Sequence, residues 1–373
     1  MRKKNTFIIG HYGGDNFGDE FMLEALLEYL NQVENVGKIF IVNKKSDCQN
    51  SRATYVSPGF LSVLKVLLQT KMLILGGGTH FHDDYHEKRL RKHYLYLTKI
   101  LLISFLYRLT FKKVYYLGVG YAPLKSTKIN NFAKLSLLLA HRITVRDKVS
   151  LQNLQRLKPR SQTLGLSLTF DLASLHKEVG RENTKADGIL GISLTSFGFS
   201  SNANNDMMWG NHIIPQIGSA YKRTQISVRI FVFRGGSRES DIPLSKKLQE
   251  HLLEIDPSRV ELIEYTDNTE KFITPLSECN YFIATRYHSA VISYLLGCRL
   301  LIIPYHQKLI DIVQMIDLDM HAVVDLQKPE TFTHKLTEML ANDEKYLPKI
   351  SPLKNKCLTL REMNAIFSQE NVK

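Results

Sequence analysis

Residues 279–308 read CNYFIATRYHSAVISYLLGCRLLIIPYHQK. The run opens with an apolar strand pattern over residues 281–284 and a polar turn, Thr285-Arg286-Tyr287-His288-Ser289. An apolar helix pattern follows over 290–296, then a stop at Gly297 and a second strand over 300–303. Such a strand–helix–strand unit belongs to a parallel sheet, and its ligands bind at the strand's carboxyl end against the helix amino terminus. Arg286 supplies a permanent cation with a fork of donors. His288 can exchange a proton near neutral pH. Lys308 follows the second strand, so parallel pairing brings it to the same edge. Two cations and an imidazole over a helix dipole suit a small, multiply charged anion. The competing reading is structural, with Arg286 holding local structure and His288 a satisfied core histidine.

Working outward, the same alternation recurs. A strand over 6–10 runs into Gly10-His11-Tyr12-Gly13-Gly14-Asp15-Asn16-Phe17-Gly18-Asp19-Glu20, and a helix is expected over 21–30. The glycines admit close approach to the backbone, but their spacing is not the dinucleotide fingerprint GxGxxG. Asp19 and Glu20 also suit a helix's first turn. A strand over 38–43, a helix over 61–68 and a strand over 72–75 follow, the last ending in Gly76-Gly77-Gly78-Thr79, a second backbone nest or close-packing point. His80, His82, Asp83, Asp84 and His86 match no standard zinc spacing and read as a polar loop. Residues 94–111 are the most apolar helix candidate, but Lys99 and Arg108 leave it short of the ~20 residues that span a bilayer. A buried helix is the first reading and an interfacial one the second, since Lys112 and Lys113 come next. A strand over 114–117 ends in Gly118-Val119-Gly120, a helix is expected over 129–140, and a strand over 143–145 ends in Arg146-Asp147. Arg146 is thus a second strand-end cation. Its alternative is a surface pair with Asp147, worth about 0–1 kcal/mol.

The polar stretch 176–188 reads as a linker. Strands over 188–193, 227–233 (ending in Arg234-Gly235-Gly236) and 260–263 then precede the opening stretch. A polar loop over 195–205 and helices over 209–221 and 243–253 lie between them, and helices over 311–316, 332–340 and 358–367 close the chain. The expected architecture is α/β: two doubly wound, Rossmann-like domains, 1–178 and 188–373, facing across a cleft.

The chain has 373 residues and a formal charge of +13, from 49 Lys and Arg against 36 Asp and Glu. The balance favours anionic partners. The basic residues form no long arm or aromatic-interleaved patch, which argues against nucleic acid. Cys48, Cys279, Cys298 and Cys357 make no CxxC pair, so neither a disulfide framework nor a zinc site is expected. The apolar run at the amino end is too short for a signal peptide, and a cytoplasmic location is expected.

With those residues in hand, the chain resembles the polysaccharide pyruvyl transferase family. The resemblance rests on residues 13–20, Gly76-Gly77-Gly78-Thr79, Gly118-Val119-Gly120 with Pro123-Leu124, Val145-Arg146-Asp147, Asp171, and Arg286-Tyr287-His288-Ser289 followed by Gly297 and residues 305–308. It implies a two-domain, glycosyltransferase-B-like fold. It also implies transfer of pyruvate from phosphoenolpyruvate to two hydroxyls of a sugar, as a cyclic ketal, without metal or nicotinamide cofactor. On that reading His288 moves the proton and Arg146, Arg286 and Lys308 hold the donor. Gly13, Gly14, Asp15, Asn16, Asp19, Gly77 and Gly78 form the acceptor side or a backbone nest. The acceptor is a sugar of a polysaccharide or of its lipid-linked precursor, with peripheral contact to the inner, anionic face of a membrane. The family's usual Leu between the Arg and the His is Tyr287 here, and Arg234-Gly235-Gly236 also departs from its pattern. The rivals are a nucleotide-sugar glycosyltransferase of the same architecture and a non-catalytic anion- or membrane-binding module.

Overall fold

The computed structural model describes residues 3–42, 53–57, 59–82, 87–122, 126–157, 165–181, 188–195, 212–236 and 240–368. The readings on Cys48, Asp83, Asp84, His86, Pro123-Leu124 and residues 196–211 lie outside them. The chain divides into two units. Unit 1 is Met1–Gly14, Asp19–Lys177 and Asn355–Lys373, and unit 2 is Asp15–Gly18 and Glu178–Lys354. Two segments therefore depart from the contiguous domains expected, residues 15–18 and residues 355–373, which include all but the start of the closing helix.

In unit 1 the strands are β1 (Lys4–Ile9), β2 (Val36–Val42), β3 (Ala53–Val56), β4 (Met72–Leu75), β5 (Gly78–Phe81), β6 (Lys113–Tyr121), β7 (Arg142–Val145) and β8 (Leu166–Leu168). They form one parallel sheet in the order β3-β2-β1-β4-β6-β7-β8, with β5 paired to β6. The helices are α1 (Phe17–Gln32), α2 (Phe60–Gln69), α3 (Glu87–Leu109), α4 (Thr127–Leu139) and α5 (Lys148–Leu157). Alternate strand residues, Phe7, Leu73, Leu75, Val114 and Tyr116, share a core with buried residues of α2 to α5. Those four helices therefore cover the same face of the sheet.

The α3 pattern is only half buried. Leu97, Ile100 and Tyr107 face the sheet, while Leu95, Leu102, Phe105 and Leu109 are exposed. The buried-helix expectation over 94–111 is corrected accordingly. Apolar residues lie around more than one side of α3, and a single sheet face can cover only one stripe. The strand expected over 114–117 runs on to Tyr121, through Gly118 at φ 63°. A Cβ there would sit 2.6 Å from Leu172 Cγ, so both backbone and packing require glycine.

In unit 2, β9 (Ile189–Ser193), β10 (Ser227–Val232), β11 (Val260–Glu264), β12 (Tyr281–Ala284) and β13 (Arg299–Ile302) form a parallel sheet ordered β11-β10-β9-β12-β13. Its helices are α6 (Ile214–Arg223), α7 (Ile242–Leu253), α8 (Thr269–Ser277), α9 (Tyr287–Leu295), α10 (Gln307–Met315) and α11 (Phe332–Leu340). The sequence reading misses α8, which contains Pro275; Asn268 caps it by accepting from Lys271 N at 2.9 Å. The last helix, α12 (Pro352–Ser368), ends in unit 1. There Thr359 Oγ1 accepts from Phe170 N at 3.1 Å, and Asn364 Oδ1 from Tyr29 Oη at 2.9 Å. An amphipathic stripe does not say which core it will cover, which is why the sequence reading gave this helix to the second domain. No helix among the described residues is long and apolar enough to cross a membrane.

Candidate functional site

Strand order reverses once in each sheet, between β1 and β4 in unit 1 and between β9 and β12 in unit 2. Ligands of open α/β sheets bind at such reversals, beyond the strands' carboxyl ends. Both fall on motifs singled out in the sequence.

At the unit 2 reversal, β12 ends at Ala284, paired in register with Ser193 of β9 and Ile302 of β13. Thr285 Oγ1 donates to Ser193 O at 2.9 Å. Ser193 Oγ donates to Ser289 Oγ at 2.6 Å, and Ser289 Oγ donates to Arg286 O at 2.8 Å while accepting from Arg286 N at 3.2 Å. This hydroxyl relay caps the backbone, so α9 starts at Tyr287 rather than at 290 as expected. His288 thereby stands in the first turn of α9, half-buried, its ring edge-on to Tyr287 at 5.3 Å. Beyond the neighbouring strand β13, His306 Nδ1 accepts from Lys308 N at 3.2 Å at the start of α10, and Lys308 Nζ lies 5.9 Å from the Tyr305 ring centre. Lys308 does reach the same sheet edge as His288.

Arg286 has a partner that the sequence reading did not name. Its Nε lies 2.8 and 2.6 Å from the two oxygens of Asp241, and Nη2 lies 2.6 Å from Oδ1. Asp241 is fully buried before α7 and also accepts from Arg234 N at 3.1 Å. Burial pushes its carboxyl above the usual range, against the pull of Arg286 and its hydrogen bonds. Arg286 is therefore one half of an ion pair, and the pair offers an anion less net charge than a bare guanidinium.

Residues 15–18, expected on the acceptor side of the first domain, belong to the same unit as His288. Phe17 N donates to Phe233 O at 2.9 Å, Gly235 N donates to Asp15 O at 3.2 Å, and Asn16 bridges Arg234 in antiparallel fashion. The Phe17 ring packs on Phe233, Tyr265 and Phe272, with centroids 5.5, 5.3 and 4.2 Å away. The Arg234-Gly235-Gly236 turn thus receives the segment from residue 15 to 17. Asp15 takes φ 52°, the left-handed region tolerated by aspartate. A Cβ on Gly18 would fall 2.1 Å from His288 Nδ1, so this glycine makes the room in which the imidazole sits.

In unit 1, Gly76 and Gly77 are close-packing points. A Cβ on Gly76 would lie 2.1 Å from Tyr12 Oη, and one on Gly77 2.8 Å from Met22 S. Gly13 and Gly78 have positive φ, and Gly13 N donates to the Glu20 carboxylate. Asp19 lies in the first turn of α1, and Gly14 is exposed. Tyr12 was missed in the sequence reading. Its hydroxyl is buried at the β1/β4 reversal and makes no hydrogen bond to the described residues. His80 is buried, with Nδ1 at 2.8 Å from Tyr96 Oη and Nε2 at 2.7 Å from Gly76 O. Both nitrogens are thus engaged by protein, and its ring stacks on His11 at 4.8 Å. Burial, with His11 next, pulls its pKa well below the ordinary imidazole value.

Arg146 is 4% exposed, with Nη1 3.2 Å from Asp171 Oδ2 and Nη2 2.8 Å from Thr79 Oγ1. Asp147 is farther, 3.9 Å from Nε. The surface pair with Asp147 is therefore replaced by a buried pair with Asp171, whose carboxyl burial pushes upward. Arg146 belongs to unit 1, and Arg286, His288 and Lys308 to unit 2. A further grouping in unit 1, Glu24, Glu28 and His176, has ligand atoms within 4.8 Å of one another. Lys177 already serves Glu28, with its N donating at 2.9 Å and its Nζ forming an ion pair at 3.7 Å.

The two-domain α/β fold is glycosyltransferase-B-like. It is similar to UDP-GlcNAc 2-epimerase from Methanocaldococcus jannaschii (TM-score 0.64, 11% identity, 97% of this chain and 99% of that one). It is also similar to the S. aureus MnaA–UDP co-structure (0.59, 11%, 100% and 98%) and to UDP-GlcNAc 2-epimerase from Neisseria meningitidis bound to UDP-GlcNAc (0.57, 12%, 97% and 100%). At these identities the likeness is one of fold alone. No curated protein sequence matches the chain. The polysaccharide pyruvyl transferase profile matches residues 16–307, from the Asn16 segment through the β12–α9 turn to Gln307, and the chain belongs to that family.

Proposed function

We propose that the protein transfers pyruvate from phosphoenolpyruvate to two hydroxyls of a sugar in a polysaccharide or its lipid-linked precursor, forming a ketal. The observation that carries the reading is the β12–α9 turn. It sets an imidazole in the first turn of a helix at the strand reversal, with Lys308 entering the same edge. Family membership supplies the class of reaction. The donor's phosphate meets the amino ends of α9 and α10 and the Lys308 ammonium, which favour a multiply charged anion. Arg286, oriented by Asp241, meets its carboxylate or phosphate. Arg146, which lies in unit 1 and is paired there with Asp171, is given no role in this unit 2 site. Asp15 and Asn16 face the acceptor hydroxyls.

In the reaction a sugar hydroxyl oxygen bonds to the central carbon of the donor, and the terminal methylene gains a proton to become methyl. The carbon–oxygen bond to phosphate then breaks, phosphate leaves, and the neighbouring hydroxyl closes the ketal with loss of its proton. His288 moves the proton, a role worth about 10²–10⁴-fold in rate. Lys308 and the helix amino termini stabilise the departing phosphate.

Thermal shift with phosphoenolpyruvate against UDP tests the donor; a ligand at ~100 times its Kd stabilises by ~2.7 kcal/mol. Stabilisation by UDP alone would favour a nucleotide-sugar glycosyltransferase. Turnover in deuterated water places deuterium in the new methyl group, and His288→Ala loses turnover while keeping donor binding. Wild-type turnover in that variant removes His288 from the mechanism.

A further inference from the structure

Helices α2, α3 and α4 lie on one face of the unit 1 sheet, and their outward sides carry large exposed apolar residues interspersed with cations. On α3, Leu95, Leu102, Phe105 and Leu109 recur at helical spacing and are all half or more exposed. Leu68 and Leu138 stand exposed in the last turns of α2 and α4. Hydrogen bonds tie these ends together. Lys112 Nζ donates to Leu67 O at 2.6 Å, Thr70 and Tyr107 share a hydrogen bond between hydroxyls, and Arg108 bonds His141 just after α4.

Phe111 marks the corner. It follows α3 at φ 56° and is 96% exposed. Helix ends of this kind favour glycine in the left-handed position, and a bulky side chain there is an outlier. The ring is thus held in solvent at a position where local preference opposes it.

The charge around this face is of one sign. No Asp or Glu lies between Glu87 and Asp147, and α2 has none. Lys65, Lys99, Arg108 and Lys134 are exposed on the same three helices. At the amino edge of the sheet, Lys71 and Lys113 are adjacent, with Lys113 N donating to Lys71 O at 3.1 Å. A second copy of the chain would bring like charges together over this face. A bilayer with anionic headgroups matches both features, taking apolar side chains at the acyl boundary and cations among the phosphates.

We infer that the outward face of α2, α3 and α4, with Phe111 at its corner, docks on an anionic lipid bilayer. The inference rests on this surface and stands apart from the identity of the transferred group. It also gives a lipid-linked acceptor a place to be met.

The test is co-sedimentation of the full chain with vesicles of phosphatidylcholine alone and of phosphatidylcholine mixed with phosphatidylglycerol. Partition onto the anionic vesicles is higher by about tenfold or more, since each basic residue near such a surface adds about fivefold, and it falls as salt is raised. Leu102→Ser with Phe105→Ser lowers that partition about tenfold or more with at most a small fall in melting temperature, because both residues are half-exposed. Phe111→Gly lowers partition and leaves melting unchanged or higher, since the turn favours glycine. Equal partition onto both vesicle types, or variants that partition like wild type, overturns the inference. So does a dimer in light scattering that these substitutions dissolve, which assigns the face to a second copy.

Discussion

Gly18→Ala is the most direct probe of how His288 is seated. A methyl on Gly18 would fall 2.1 Å from His288 Nδ1, 2.2 Å from Cγ and 2.4 Å from Cβ. Rotation about χ1 moves the ring but not Cβ, so the contact cannot be relieved by a new rotamer and the backbone of α9 or of residue 18 must shift. Overpacking of this kind costs about 1–3 kcal/mol. Alanine's better helix propensity returns up to about 1 kcal/mol at this first turn of α1. The expected net loss is about 0–3 kcal/mol, a fall of roughly 2–4 °C per kcal/mol for a unit of this size. With His288 moving the proton as proposed, the effect on turnover is larger, because a displacement of about 1 Å in a catalytic group can cost about 10²-fold in rate. The assays are thermal melting, phosphate release from phosphoenolpyruvate in the presence of acceptor, and the imidazole NMR signals of His288. Gly14→Ala is the control for melting alone, since nothing lies within 4 Å of a Cβ there. A Gly18→Ala protein with unshifted His288 signals and wild-type melting and turnover would refute the reasoning.

Arg286→Leu leaves Asp241 buried without its cation and costs about 3–5 kcal/mol in denaturant unfolding. The double change with Asp241→Leu is less destabilising than either single change, and a cycle that adds linearly contradicts the pair. His80 gives unit 1 a pH dependence. Its folded pKa lies below the unfolded value of about 6.5, so on acidification the unfolded chain takes up a proton that the buried ring refuses. Stability therefore falls as pH drops below about 6.5, and His80→Gln flattens that slope in melting curves recorded from pH 7 to 5. Tyr12→Phe removes a buried hydroxyl that has no hydrogen bond among the described residues. It is expected to leave stability unchanged or raise it by about 1 kcal/mol; a loss of more than that in denaturant unfolding shows that the hydroxyl has a partner.

The parallel α/β character of both units was legible in residues such as Met72–Leu75 and Tyr281–Ala284, because a strand buried on both faces is written as a short apolar run ended by glycine or polar turn residues. The strand-end placement of His288 and Lys308 followed from the same pattern. Partners distant in sequence were not legible. Asp241 lies 45 residues before Arg286, and Asp171 25 residues after Arg146, and only the packed sheets join each pair. Nor could the local pattern say that residues 15–18 run beside Arg234-Gly235-Gly236, or that the end of α12 returns to the first core. Periodicity encodes which side of an element is apolar, whereas the surface it meets is chosen by the whole chain. The exposed stripe on α3 shows the same limit from the other direction. Its apolar residues were plain in sequence, but only the folded sheet, with room for one stripe, left the other facing outward.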